Sequence, residues 1–381
     1  MDKTGRKNAQ KVVVAMSGGV DSSVAAALLK GAGFNVEGVF MKLYDSSRFR
    51  EGEKRAKKIA GILRIPIRIL DLRKEFKKIV IGYFLRECLF GRTPNPCVVC
   101  NKEIKFGLLL EKVLALDFDF VATGHYARTN LCKNLMIVRN PPRVKLIRGK
   151  DKEKDQSYFL WQLNQKQLRH VLFPVGNYTK AEVQKLARKF KLPVFNTPES
   201  MEICFVQTTV NDFLKRHLKP KPGPIVEQVY YGVKEIVGQH QGLWFYTIGQ
   251  RKGIKLAGGP YWVLDKDQKR NSLIVTRNER DLYKKELVCE KVNWIRAPID
   301  HSVLDRAQKI CALVSRETPK LPLRIKAEIR YQHKASPAVI YKPKGGRYGL
   351  VFNRSQKAVT PGQSVVFYKG EELLGGGTIA K

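Results

Sequence analysis

Lys11-Val12-Val13-Val14-Ala15-Met16-Ser17-Gly18-Gly19-Val20-Asp21-Ser22 is the stretch that decides the fold. Its first five residues are apolar and β-branched, the pattern of a parallel strand buried on both faces. Val20–Lys30 follows with helical spacing, and Gly31 and Gly33 stop it. The segment therefore reads strand, glycine turn, helix. Outward from it the rhythm continues: Val36–Met41 as a strand, Arg50–Leu63 as a helix, Ile65–Leu70 as a strand, and Phe118–Ala122 as another. This βαβ alternation predicts an α/β domain with a doubly wound parallel sheet and ligands at the carboxyl ends of its strands.

The character changes after about Phe205. Pro220–Pro224 breaks any helix, and from Ile225 the apolar runs are short and punctuated by turns. Arg324–Tyr331 alternates, which places Ile325, Ala327, Ile329 and Tyr331 on one face of a strand. Ser364–Tyr368 and Leu373–Ile379 flank Lys369-Gly370-Glu371 as a hairpin. Three domains are expected: residues 1–205 as a nucleotide-binding catalytic domain, 206–280 as a small central domain, and 281–381 as a C-terminal β-barrel.

Lys and Arg number 71 against 34 Asp and Glu, a formal net charge of +37. Unpaired buried charge is costly, so this surplus belongs on the surface, where it attracts polyanions. A general bias toward Lys would give the same total; the spread along the whole chain favours nucleic acid. Met1–Gln10 carries no apolar core of a signal peptide, and no run approaches the roughly 20 apolar residues of a membrane helix. Seven cysteines in a chain of 381 residues argue against a disulfide-stapled secreted fold and for a reducing cytoplasm, with no membrane partner.

Adjacent Gly18 and Gly19 let backbone N–H groups approach phosphate oxygens, and the helix start adds its dipole. Ser22 and Ser23 add hydroxyls, and Asp21 is placed to hold magnesium. A Ser- or Asp-capped corner is the bland alternative. The loop is neither a Walker loop nor a dinucleotide fingerprint. It resembles the PP-loop ATP pyrophosphatases, whose Ser-Gly-Gly-x-Asp-Ser loop serves cleavage of ATP between the α- and β-phosphates. That resemblance implies transfer of AMP to a substrate oxygen, which makes the oxygen a good leaving group. The loop does not say whether ammonia, an amine or sulfur replaces it.

Thr93-Pro94-Asn95-Pro96-Cys97-Val98-Val99-Cys100-Asn101 holds a CxxC behind two stiffening prolines. A helix is expected from Asn101, which would place Cys100 near its N-terminus and close to Lys102 and Lys105. Both features favour the thiolate over a free thiol of pKa about 8.5. Half of a zinc site is the alternative, but no second CxxC or paired His lies nearby. Cys204, in Glu199-Ser200-Met201-Glu202-Ile203-Cys204-Phe205, taken alone is a buried structural thiol.

Together these segments resemble one PP-loop family over nearly the whole chain, the tRNA-specific 2-thiouridylases. The matching words are Ala15–Ser22, Thr93–Phe106, Ala122–Arg128, Asp151–Leu163, Gly242–Gly253, Ala358–Gln363 and Leu374–Ile379. The resemblance implies 2-thiolation of the wobble uridine of the tRNAs for Lys, Glu and Gln. It implies ATP with Mg2+, binding of the anticodon stem-loop, and a sulfur donor such as a cysteine desulfurase or a sulfur-relay protein. Cys204 matches the cysteine that carries a persulfide and Cys100 its catalytic partner, with a Cys100–Cys204 disulfide left after transfer. Ala15, Met16, Ser17, Gly18, Gly19, Val20, Asp21, Ser22, Met41 and Gly124 match the ATP site. Asn95, Pro96 and Cys97 match the segment facing the target base. His125, Lys154, Asp155, Gln156, Arg330, Tyr331 and Gln363 match tRNA contacts.

Two departures bear on mechanism. Many family members carry Asp where this chain has Cys97, and a Lys-Asp-Ser-Thr-Gly-Ile-Cys word where this one reads Pro198-Glu199-Ser200-Met201-Glu202-Ile203-Cys204. Cys97, Cys100 and Cys204 could instead hold a [4Fe–4S] cluster whose fourth iron takes sulfide. Persulfide and cluster stand nearly even on the sequence. Cys88, Cys132, Cys289 and Cys311 have no motif around them and read as structural. A PP-loop ligase using ammonia would have no use for Cys100 and Cys204. A non-catalytic RNA-binding relic would have no use for an intact loop.

Overall fold

The computed structural model describes residues 9–131, 143–193, 203–228, 234–295, 321–342 and 347–380. Five parallel strands run in the spatial order Ile67–Asp71, Asn35–Lys42, Lys11–Ala15, Phe120–Ala122, Val171–Leu172. The strand Lys11–Ala15 is central, which is why it is apolar at every position after Lys11. Val12 and Val14 face one apolar layer, shared with Val20, Val24, Ala25, Ala26 and Leu29 of the helix Val20–Gly31. Val13 and Ala15 face the other layer, with Leu109, Leu110 and Trp161.

Local chemistry moved some boundaries. Pro66 has no N–H to give a ladder, so the third strand begins at Ile67, while Pro66 O accepts from Gly38 N at 2.8 Å. The helix expected from Arg50 spans Ser47–Leu63, because the Ser46 side chain accepts from Phe49 N and caps it a turn earlier. The last strand, Val171–Leu172, is too short to show a period.

The central part is a four-stranded sheet in the order Trp262–Asp267, Ser272–Thr276, Gly223–Gln228, Lys234–His240. The C-terminal part is a closed six-stranded barrel. Its strands run Tyr283–Trp294, Tyr348–Lys357, Ser336–Tyr341, Leu323–Glu328, Ser364–Lys369 and Glu372–Ile379, and the last pairs back on the first. The expected hairpin is present, with Lys369 opposite Glu372 and Gly370 at φ +60°. The expected strand Arg324–Tyr331 stops at Glu328. Alternation fails there because Glu328 is also buried, held by an ion pair to Arg148.

The barrel is joined to the N-terminal domain through the sheet itself. Ala127–Thr129 and Leu146–Arg148 pair with each other, and Leu146–Arg148 pairs with Glu372–Ile379. Trp161 packs against the Gly375–Gly377 run. A Cβ on Gly376 would lie 2.8 Å from the Trp161 ring, and Trp161 Nε1 donates to Ser364 Oγ at 2.9 Å. Gly376 of the LGGGTI word therefore admits an indole from the catalytic domain, while Gly375 and Gly377 let the first barrel strand approach.

Candidate active site

The Ser17–Ser22 loop leaves the carboxyl end of the central strand, where the sheet order switches direction and ligands of doubly wound folds bind. Gly18 has φ +76°, and a Cβ there would lie 2.3 Å from Gly52 O. Gly124, after the neighbouring strand, approaches the helix start so closely that a Cβ would meet Ser22 N at 2.6 Å. Ser22 Oγ and Ser23 Oγ both donate to Gly19 O, at 3.2 and 2.7 Å, and hold the turn. Met16 is buried and Met41 half-buried beside it on the adjacent strand. Ala15 and Val20 complete the loop's apolar footing.

Asp21 is already engaged. Lys180 Nζ lies 2.7 and 2.9 Å from its two oxygens, and Tyr126 Oη donates to it at 2.7 Å. In this structure a lysine ammonium pairs with the carboxylate to which the sequence assigned magnesium. Arg55 Nε donates to Gly18 O at 3.2 Å, so two cations flank the loop. Neither Lys180 nor Tyr126 was singled out in the sequence. Tyr126 lies inside the Ala122–Arg128 word, and Lys180 opens a helix whose capping box is Thr179 with Glu182.

The three motif cysteines come together. Cys100 belongs to the apolar cluster around Phe76, Phe84, Ile104 and Phe205, and Cys204 packs against the same cluster. Burial pushes the Cys204 thiol up to about 12, with further elevation from the nearby Cys100 and Cys97. Burial pushes Cys100 up to about 11 and raises Cys97, and Lys105 opposes all three shifts. This corrects the expectation of a thiolate. The helical run begins at Pro96, not Asn101, so Cys100 lies a turn inside it and opens the π-helical stretch Cys100–Leu108. Burial then outweighs Lys105.

Cys88, Cys97, Cys100, Cys204 and Cys289 are all free thiols, so the Cys100–Cys204 disulfide is not a standing bond of the fold. Cys88 and Cys289 are buried in apolar clusters, as structural thiols should be. Cys132, Cys311 and Pro198–Glu202 lie outside the described residues. Among the described residues no three His, Cys, Asp or Glu side chains converge as metal ligands. The thiols are thus not pre-set in a ligand geometry for an iron–sulfur centre, and no step is derived through one.

The residues matched to the target base and to tRNA form the seam between catalytic domain and barrel. Thr93, before Asn95 and Pro96, donates its N–H to Pro361 O at 2.9 Å and accepts from Gln363 Nε2 at 2.8 Å. Tyr331 packs against Phe159, with ring centroids 4.4 Å apart and the planes tilted by 46°. Arg330 is exposed beside it, and Lys154 is half-buried. Gln156 Oε1 accepts from Tyr126 N at 3.1 Å. Asp155 is buried and accepts from Gly149 N, Ser157 N, Ser157 Oγ and Arg148. Those bonds fill its acceptor sites, so its carboxylate serves the fold and not an RNA phosphate. His125 is buried, with Nδ1 2.7 Å from Thr123 Oγ1; burial, helped by Lys105, pushes it well below the usual histidine range, so it is neutral.

A glycine turn at the switch point of a parallel sheet, free cysteines packed on one apolar cluster and a six-stranded barrel joined to the same domain define a multidomain α/β protein. Family models match along the chain in that order: the tRNA methyl transferase HUP domain over residues 10–208, the tRNA methyl transferase PRC-barrel domain over 211–277, and the aminomethyltransferase beta-barrel domain over 284–379. The tRNA-specific 2-thiouridylase MnmA of Carboxydothermus hydrogenoformans is 42% identical, covering 100% of both chains. That of Clostridioides difficile is 40% identical, covering 98% of both. The chain belongs to the tRNA-specific 2-thiouridylase family. Among solved structures, the U34-tRNA thiolase NcsA from Methanococcus maripaludis with its [4Fe-4S] cluster is 22% identical with a TM-score of 0.34, over 52% of this chain and 63% of that one.

Proposed function

We propose that this chain catalyses ATP-dependent 2-thiolation of the wobble uridine of the tRNAs for Lys, Glu and Gln. The observation that carries the reading is the meeting of Cys100 and Cys204, 104 positions apart in the sequence, on one apolar cluster of the domain that bears the phosphate loop. The loop's backbone N–H groups and the start of Val20–Gly31 would cradle the phosphates of MgATP. The uridine C2 oxygen attacks the α-phosphorus, and pyrophosphate leaves. Lys180 and Arg55 supply positive charge where that pyrophosphate develops.

Sulfur arrives as a persulfide on Cys204, delivered by a desulfurase or relay protein. Its terminal sulfur attacks the adenylated C2. Cys100 attacks the Cys204 sulfur, so the S–S bond breaks and AMP departs as 2-thiouridine forms. A transient Cys100–Cys204 disulfide remains, and an external thiol reduces it. Burial suits this order. Burial keeps the Cys100 thiol protonated outside the reaction, so it does not attack the persulfide prematurely.

Mixing the protein with ATP and undermodified tRNA is expected to yield AMP and pyrophosphate; ADP as product would overturn the reading. Cys100→Ser and Cys204→Ser are each expected to abolish 2-thiouridine formation, measured by nucleoside mass spectrometry, while tRNA binding persists. Thiolation surviving in either variant would remove that cysteine from the mechanism. Iron and sulfide analysis of an active anaerobic preparation is expected to find neither in stoichiometric amount.

A further inference from the structure

Asn101 follows Cys100 directly and has a side chain only 2% exposed. Its amide nitrogen donates to Phe159 O at 3.2 Å, which fixes which end of the amide is oxygen. The oxygen, Oδ1, has no hydrogen-bond partner among the described residues. Leaving a buried carbonyl acceptor unpaired is costly, and folded proteins rarely tolerate it without a function. Asn101 follows Cys100 in the same helical stretch, and its partner Phe159 packs against Tyr331, with ring centroids 4.4 Å apart and planes tilted by 46°.

A ligand that brings a donor to this oxygen would satisfy it. A uracil ring has one donor on its edge, N3–H, flanked by the C2 and C4 carbonyls. A base entering with C2 toward Cys100 carries N3–H immediately beside the reacting carbon. Cytosine has a lone pair at N3 instead, which would face the Oδ1 lone pairs in a dry site. We propose that Asn101 Oδ1 accepts the N3–H of the target uracil and so selects uridine against cytidine. The inference rests on the thiolation reading and names the group that identifies its base. The Phe159 bond orients the amide, and Tyr331 and Phe159 offer an aromatic surface at its side.

The test measures kcat/KM for RNA-dependent pyrophosphate release from ATP. The RNAs are anticodon stem-loops carrying uridine, cytidine or 3-methyluridine at the target position. The intact chain is expected to favour uridine over cytidine by about 5- to 150-fold, the usual worth of one good base-edge contact. Asn101→Leu, close in size, is expected to bring that ratio to about threefold or less. Its melting temperature is expected to fall modestly, because Phe159 O loses its donor; a merely structural asparagine would show that loss with the parent's uridine-to-cytidine ratio unchanged. Asn101→Ala is expected to accept 3-methyluridine, which the parent chain rejects, because the methyl takes the vacated space. The inference is overturned if the parent chain shows no uridine preference, or if both variants keep the parent's ratio. No pyrophosphate release with uridine RNA and the parent chain would instead overturn the thiolation reading beneath it.

Discussion

Cys100 shows how burial and charge compete at one residue. Lys105 favours its thiolate, yet removal from water dominates, and the thiol rises to about 11. A raised thiol pKa means the proton is held more tightly, so at any pH the thiolate fraction lies below that of a free cysteine and grows as pH rises. Iodoacetamide alkylation of Cys100 in the tRNA-free protein, followed by peptide mass spectrometry, is therefore expected to be slower than for a free thiol at pH 8. It should still be climbing at pH 9.5. A plateau near pH 8 would mean that Lys105 wins. The same term acts on stability. A group with a raised pKa stabilises the fold below its unfolded value, near 8.5, and that contribution is lost as pH rises through the folded value.

Among the elements, the helix Lys180–Lys189 does more than cover the sheet. Thr179 Oγ1 accepts from Glu182 N at 3.2 Å while Glu182 Oε2 accepts from Thr179 N at 2.6 Å. This capping box fixes the first turn, and the first residue of that turn is Lys180, whose ammonium meets Asp21 in the phosphate loop. Thr179→Ala is expected to destabilise the protein by about 1 kcal/mol, read from urea denaturation. It should also weaken ATP binding, read by titration calorimetry, because the lysine is no longer held at the loop. Loss of stability with unchanged ATP affinity would separate the cap from the site.

At the scale of the whole molecule, one buried cluster ties the domains together. Arg148 bonds Asp155 and Glu328, each at 2.7 Å, and lies 3.6 Å above the Tyr368 ring. Burial pushes the Glu328 carboxyl up against the pull of Arg148. Removing Glu328 leaves Arg148 paired with Asp155 alone, a loss of about 1–3 kcal/mol for the buried charge-assisted hydrogen bond. Glu328→Ala is expected to lower stability by that order, and calorimetry should show the barrel unfolding ahead of the catalytic domain. Two domains still melting in one transition would show that the Trp161 and Leu146–Arg148 contacts suffice. The net charge of +37 surrounds this frame and suits a polyanionic substrate.

The amino-acid sequence by itself determined the strand–loop–helix at Lys11–Gly31, because a run buried on both faces and a turn needing two glycines leave a local signature. It determined the hairpin around Gly370 for the same kind of reason. The motif words carried the family and the cysteines Cys100 and Cys204. What only the tertiary structure decided depends on neighbours far along the chain. Whether Cys100 is ionised follows from the apolar cluster that Phe76, Phe84 and Phe205 build around it. Whether Asp21 is free follows from Lys180, 159 positions away. Whether Asp155 faces RNA or the fold follows from Arg148 and the closure of the barrel. Asn101 could be read as one letter after a CxxC, but that its oxygen is buried with no partner among the described residues is a product of packing. Local patterns specify elements; solvent exclusion and long-range pairing assign the chemical state of the groups they bring together.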